Sequence, residues 1–292
     1  MILSGDGAVQ VKLSKKIGLS IGEKTGIASI LLAVSLWGGM GPAWSMLPLA
    51  GFVLLCVAAP FVTCHGFFLP LICRGARNPR CVAITFDDGP DSVTTSLILE
   101  TLQTHQVSAT FFVTGKRAVS HPELVARILE QGHTIGNHTY SHDPLIMLKS
   151  SHCLEHEIAQ TQKVLAAHGI RPLAFRPPAG ITNPKLGPIL AKAGLITVNF
   201  SCRAMDAGNR NVSGIASKIL RRVKPGDIVM LHDLIPRAKS QDGADTVELA
   251  RFLTELEQVF IGLEKRNLSV VPLSELIGRP IMKYTQPHAV SG

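Results

Sequence analysis

Residues 25–73 contain no Asp, Glu, Lys or Arg. One membrane-crossing helix needs about 20 apolar residues, so the run is more than twice one span. Gly38, Gly39, Gly41 and Pro42 interrupt it near the middle. That pattern predicts a helical hairpin, with one span at about residues 27–39, extendable through Trp44, and another at about 47–64. A secretory signal has the same basic-then-apolar order but a much shorter apolar core. A buried helix pair of a soluble fold would carry charges over such a length. The expectation is a retained anchor in a lipid bilayer.

Lys12, Lys15, Lys16 and Lys24 precede this segment, and Arg74, Arg77 and Arg80 follow it. They account for much of the net charge of +8. Positive flanks mark the cytoplasmic side of a span. A hairpin places both ends on one side, whereas a single span with a re-entrant partner places the rest of the chain outside; charge alone leaves both open. No basic run is interleaved with aromatics, which argues against nucleic acid as the main partner. The six cysteines form no C-x-x-C pair, so neither a disulfide framework nor a zinc–thiolate site is expected.

From about residue 78 the pattern changes. Apolar runs at 81–86, 108–114, 196–200, 227–231 and 268–271 read as strands. Helical patterns lie at 91–105, 122–131, 153–168, 186–193, 212–223 and 249–263. Repeated strand–helix units predict a parallel α/β sheet, open or closed, with functional residues on loops at the C-terminal strand ends. The expected organisation is a basic tail over residues 1–25, a membrane anchor over 26–73, an α/β domain over 78–280 and a flexible tail over 281–292.

Polar residues cluster where that scheme puts the loops. The first strand ends in Thr85-Phe86-Asp87-Asp88-Gly89-Pro90. Two adjacent carboxylates are costly to hold together unless a cation relieves them, although Asp-Gly-Pro is also plain turn chemistry. His138-Thr139-Tyr140-Ser141-His142 places two His at i and i+4, on one face if the segment is helical. With Asp88 they form a two-His-one-carboxylate set that leaves coordination positions open for water and substrate. Arg176-Pro177-Pro178-Ala179-Gly180 supplies a stiff loop and a cation able to clamp a carboxylate. His232, in Leu231-His232-Asp233, sits where a general acid could work.

These four pieces, in this order, resemble the polysaccharide deacetylase family, the NodB-homology domain of carbohydrate esterase family 4. The resemblance covers roughly residues 80–275. It implies a distorted (β/α) barrel of about seven strands, here preceded by an N-terminal transmembrane helical segment. It also implies roles. Asp87 matches the general base. Asp88, His138 and His142 match the ligands of a divalent metal, Zn²⁺ foremost, with Co²⁺, Ni²⁺, Fe²⁺ or Mn²⁺ as other options. Arg176 matches the residue that pairs with the base, and His232 matches the general acid. Asp206 is the candidate for the aspartate that tunes the catalytic His. Leu231, Pro178 and Ala179 match substrate-binding positions.

The implied activity is removal of N-acetyl groups from amino sugars of a glycan such as peptidoglycan, an exopolysaccharide or a lipid-linked saccharide, with release of acetate. Two alternatives stand beside it: a C–N hydrolase acting on a non-sugar amide, and a catalytically weak glycan-binding protein. The chain departs from the family pattern at Ala179, usually aromatic, and at Ala207, usually Trp. Both changes remove side-chain walls from the cleft. His133 and Asn137 are read as structural neighbours of the second motif.

Overall fold

The computed structural model describes residues 18–62, 64–75, 80–204, 213–233 and 244–285. It begins with two packed helices, α1 (Ile21–Met40) and α2 (Pro42–Ala58). Ser20 and Glu23 form a reciprocal capping box at the start of α1, and Pro42 opens α2 where a missing N–H costs nothing. Gly26 lets the helices approach, since a Cβ there would lie 2.9 Å from the Phe52 ring. Leu31, Val34 and Trp37 on α1, and Leu47, Val53 and Leu54 on α2, stay exposed. Among the described residues one helix, Pro42–Phe61, is long and apolar enough to cross a membrane. Glu23 and Lys24 lie within the first turn of α1.

The rest alternates strands and helices: β1 (Leu71–Ile72), β2 (Cys81–Asp87), α3 (Thr94–Thr104), β3 (Ala109–Val113), α4 (Gly115–Ser120), α5 (Pro122–Glu130), β4 (Thr134–Asn137), α6 (Ser151–Ala166), β5 (Ile170–Pro172), β6 (Ala174–Phe175), α7 (Leu186–Ala193), β7 (Ile196–Val198), β8 (Cys202–Arg203), α8 (Ile215–Arg222), β9 (Ile228–His232), α9 (Ala244–Lys265), β10 (Ser269–Val270), α10 (Leu273–Ile277) and β11 (Met282–Tyr284). The main sheet runs β1-β7-β6-β4-β3-β2-β9-β8, and β10 pairs with the start of β2. Every pairing in it is parallel. The curled sheet therefore has nine strands among the described residues, where the family resemblance implied about seven and the apolar runs marked five. The strands that the runs missed are β4, four residues long, and the two-residue pieces β1, β6 and β8, too short for periodicity to reveal.

Side-chain alternation splits the core into two layers. Ala83, Phe112, Ala174, Val198, Ile228 and Met230 pack together on the concave side. Val82, Ile84, Phe86, Val229 and Leu231 pack against α3, α8 and α9 through Ile98, Ile219, Phe252 and Leu256. This alternation decides which residues of β2 and β9 reach the site.

The cysteines differ from expectation. Cys64 and Cys73 form a disulfide, with Cα atoms 5.6 Å apart. Spacing motifs do not signal this bridge, because it depends on the chain doubling back between the end of α2 and the edge strand β1. It staples the helical pair to the sheet edge.

Candidate active site

The C-terminal ends of β2, β4, β6 and β9 converge. Asp87 closes β2, Asp88 follows it, His138 follows β4, Arg176 follows β6 and His232 closes β9. The loops they occupy hold unusual backbone: φ is positive at Asp88 (77°), Thr139 (64°), His142 (53°) and Ala179 (56°). Such conformations are costly for residues with a Cβ and concentrate where surrounding bonds impose them.

The second motif shows how. Residues 138–142 form no helical turn; Thr139 and His142 are left-handed instead. Asn137 Oδ1 accepts from the Thr139 N–H, while Glu157 on α6 accepts from the N–H groups of Tyr140 and Ser141 and from the Ser141 hydroxyl. The two imidazoles still meet, with ring centroids 4.9 Å apart. Their convergence comes from this bonded loop, not from helical spacing. Nothing in the local sequence pointed to Glu157.

Asp88, His138 and His142 present one ligand atom each, all within 4.8 Å of one another. Asp88 Oδ1 lies 3.3 Å from His138 Nε2 and 3.1 Å from His142 Nε2. His138 Nδ1 is 2.7 Å from the Arg176 carbonyl oxygen. A carbonyl only accepts, so Nδ1 carries the hydrogen and the neutral ring turns the Nε2 lone pair toward Asp88. Asp88 Oδ1 is buried and receives no hydrogen bond. Converging acceptors around an orphaned carboxylate oxygen fit a divalent cation in chemistry and number.

The electrostatics agree. Burial alone would raise the Asp88 carboxyl, but His138 and His142 more than offset it and hold it well below the usual carboxylate range. Burial opposes charge on His138, yet Asp87 and Asp88 prevail and hold it above the ordinary imidazole value. His142 is pushed down by burial and by its neighbour His138. Positive charge belongs here, as a shared proton or as an ion.

Beside this group lies a buried ion pair. Arg176 Nη1 donates to Asp87 Oδ1 at 2.7 Å and to Thr85 Oγ1 at 2.7 Å. Its Nε donates to the Val198 carbonyl and its Nη2 to the Asn199 carbonyl. The guanidinium, fully buried, rests 4.0 Å from the centre of the Phe112 ring. A buried pair is tolerable only with such complete hydrogen bonding. Across the strand boundary, His232 is the register partner of Asp87.

Not every expected residue reaches the site. Leu231 is fully buried in the helix-side layer, because alternation turns it away from the face that His232 occupies. Met230, two residues before His232, shares that face instead. Pro178 is buried, and Ala179 is exposed at the loop's tip. Asp206 and Ala207 lie outside the described residues. His133 accepts from the Ala109 N–H through Nδ1, within the sheet.

Asp233 was not singled out by sequence. Its fully buried carboxylate accepts from Thr95 Oγ1, its N–H donates to the Asp87 carbonyl, and a Cβ on Gly89 would lie 2.0 Å from its Oδ2. It thus props the Asp-Asp-Gly-Pro turn from below. Its carboxyl is pushed well above the usual range, chiefly by burial.

Comparison with known proteins agrees with this geometry. The family model described as polysaccharide deacetylase matches residues 74–198. A peptidoglycan-N-acetylglucosamine deacetylase of Bacillus cereus is 37% identical over 205 residues, covering 69% of this chain and 90% of that one. A chitooligosaccharide deacetylase of Bradyrhizobium is 33% identical over 204 residues, covering 68% and 90%. A crystal structure of a peptidoglycan N-acetylglucosamine deacetylase, in complex with 4-naphthalen-1-yl-N-oxidanyl-benzamide, superposes with a TM-score of 0.63 at 28% identity, over 72% of this chain and 94% of that one. By sequence, fold and the placement of its polar residues, this chain is a member of the polysaccharide deacetylase family.

Proposed function

We propose that the protein is a divalent-metal-dependent hydrolase that removes N-acetyl groups from glucosamine-type residues of a glycan, releasing acetate. The reading rests foremost on one observation: the Arg176–Asp87 pair lies directly beside the Asp88, His138 and His142 group, with His232 in register across from Asp87.

A metal ion bound by Asp88, His138 and His142, Zn²⁺ being the best match to these donors, supplies Lewis acidity toward the amide carbonyl and toward water. The chain's own groups do the rest. Arg176 engages Asp87 Oδ1 and fixes the carboxylate's orientation, so that Oδ2 takes the proton of the attacking water. The loop from Pro178 to Gly180 offers the Ala179 N–H to the oxygen on which negative charge develops. His232 then protonates the leaving nitrogen, so that a neutral amine departs.

The apolar pair α1 and α2 anchors the enzyme in a bilayer. The Cys64–Cys73 bridge supports an oxidising, extracytoplasmic location for the catalytic part. Among the described residues one helix, α2 continued to Phe61, has the length and composition of a span, which suits that topology.

The test is acetate release from N-acetylglucosamine oligomers by the detergent-solubilised full chain, stripped with chelator and reloaded with Zn²⁺ or Co²⁺. The expected result is metal-restored release that Asp87→Asn and His138→Ala abolish. Absence of release from any acetylated glycan, with metal bound, would redirect the assignment to another amide.

A further inference from the structure

Beside Asp88 and His142 opens a cleft of about 440 Å³, lined by Asp88, Thr114, Lys116, Arg117, Ser120, His121, Ser141 and His142. No Phe, Tyr or Trp is among the described residues that line it. A cleft for neutral sugars grips them with aromatic faces, and here that means is missing. What the wall offers instead is cationic. Arg117 pairs with Asp91 at 3.4 Å. Lys116 is exposed and makes no ion pair among the described residues.

The position of Lys116 is fixed by backbone. The Thr114 N–H donates to the Gly89 carbonyl, the Gly115 N–H to Thr139 and the Lys116 N–H to Tyr140. The start of α4 is thus stitched to both loops that carry Asp88, His138 and His142. A Cβ at Gly115 would lie 2.5 Å from the Tyr140 ring, so the backbone passes there because position 115 lacks a side chain. Lys116 projects from a rigid junction between the two motif loops, next to where the acetylated sugar must lie.

Resting on the deacetylase reading above, we propose that this cleft is a subsite for an oxyanion carried by a sugar adjacent to the acetylated one, with Lys116 as its principal contact. The enzyme's substrate is then an acidic glycan, one bearing carboxylate or phosphate substituents, in preference to a neutral N-acetylglucosamine polymer. An exposed ion pair changes affinity by about two- to five-fold, and between exposed groups the effect is screened as salt rises.

The test compares kcat/KM of the metal-loaded full chain on four oligomers of equal length. One is neutral N-acetylglucosamine. The second alternates it with its lactyl ether, which bears a carboxylate. The third is that strand with its carboxylates methyl-esterified, and the fourth is the neutral oligomer bearing a 6-phosphate. At low salt the carboxylate strand should exceed its ester by about three- to five-fold. Lys116→Gln should bring that ratio near one, and Lys116→Glu should invert it. A larger preference for the 6-phosphate oligomer over its neutral parent, equally dependent on Lys116, would identify phosphate as the source of the oxyanion. Equal wild-type rates on all four, or a ratio unchanged in Lys116→Glu, would overturn the subsite and leave the deacetylase reading standing. Release from none of the four would overturn the deacetylase reading itself.

Discussion

Asp87 and His232 are register partners on the neighbouring parallel strands β2 and β9. Adjacent strands lie about 4.8 Å apart, and partnered residues leave the same face of the sheet. The two groups assigned opposite proton transfers are therefore held side by side by backbone hydrogen bonds, and the Asp233 N–H bond to the Asp87 carbonyl closes the ladder. Asp87 is in addition tied to Arg176 by a buried ion pair.

This division of labour should appear in kinetics. Asp87→Asn should lower kcat by about 10²- to 10⁴-fold, the usual worth of a general base, on both amide and ester substrates. His232→Ala should lower kcat comparably on an N-acetyl amide but far less on an activated aryl acetate, whose leaving group needs no proton. Equal losses for His232→Ala on both substrates would contradict its role as acid.

Metal binding gives an independent readout. His138→Ala removes one of three donors and should weaken Zn²⁺ binding by at least about 100-fold in a chromophoric competition assay. Removing an outer-sphere partner alone costs about 10- to 100-fold. Because His138 titrates above the ordinary imidazole value in the metal-free protein, protons compete with the ion below that point. Wild-type affinity should fall as pH drops through that range. Affinity that stays flat from pH 8 to pH 5 would argue against His138 as a ligand.

Asp87, Asp88, His138, Arg176 and His232 could be placed at strand ends from sequence because each sits in a short motif, where identity and position are read together. Asp88 with His138 and His142, and Arg176, are brought together where the strand scheme put them. The mechanism of convergence was not readable: positive φ at Thr139 and His142, imposed by Glu157 on a different element, replaced the helical turn that i, i+4 spacing suggested. Which core layer Leu231 joins follows from a simpler rule. Alternation along β9 pairs His232 with Met230, and strand parity is sharper evidence than adjacency. The Cys64–Cys73 bridge depended on a chain reversal that composition does not encode.

His133 offers a pH test away from the chemistry. Burial lowers its pKa from 6.5 to about 4, and its Nδ1 is engaged by the Ala109 N–H. The native state thus resists protonation that the unfolded chain accepts. The stabilisation is fully present above pH 6.5 and is lost as pH falls from 6.5 toward 4, amounting to roughly 2–3 kcal/mol. His133→Gln does not titrate, so the stability difference between the two proteins, from urea midpoints, should shift by about that amount over this window. A pH-independent difference would mean that His133 is solvated or protonated in the fold.

Asp233 should behave with the opposite sign. Its native pKa lies well above 3.8, chiefly because burial penalises the anion, so the native state holds a proton that the unfolded chain releases. Its contribution is fully present below about pH 3.8 and is lost as pH rises through the native value. Asp233→Asn keeps a neutral group of the same shape beside Gly89 and Thr95, and it does not ionise. The wild-type Tm should therefore fall relative to that of Asp233→Asn between pH 4 and pH 8, measured with chelator present so that metal binding does not contribute. Since Asp233 bears on the turn that carries Asp87 and Asp88, Asp233→Ala should, in contrast, lower kcat as well as Tm. Parallel Tm curves for wild type and Asp233→Asn would show that the carboxyl is ionised in the fold, with Thr95 and nearby charges compensating its burial.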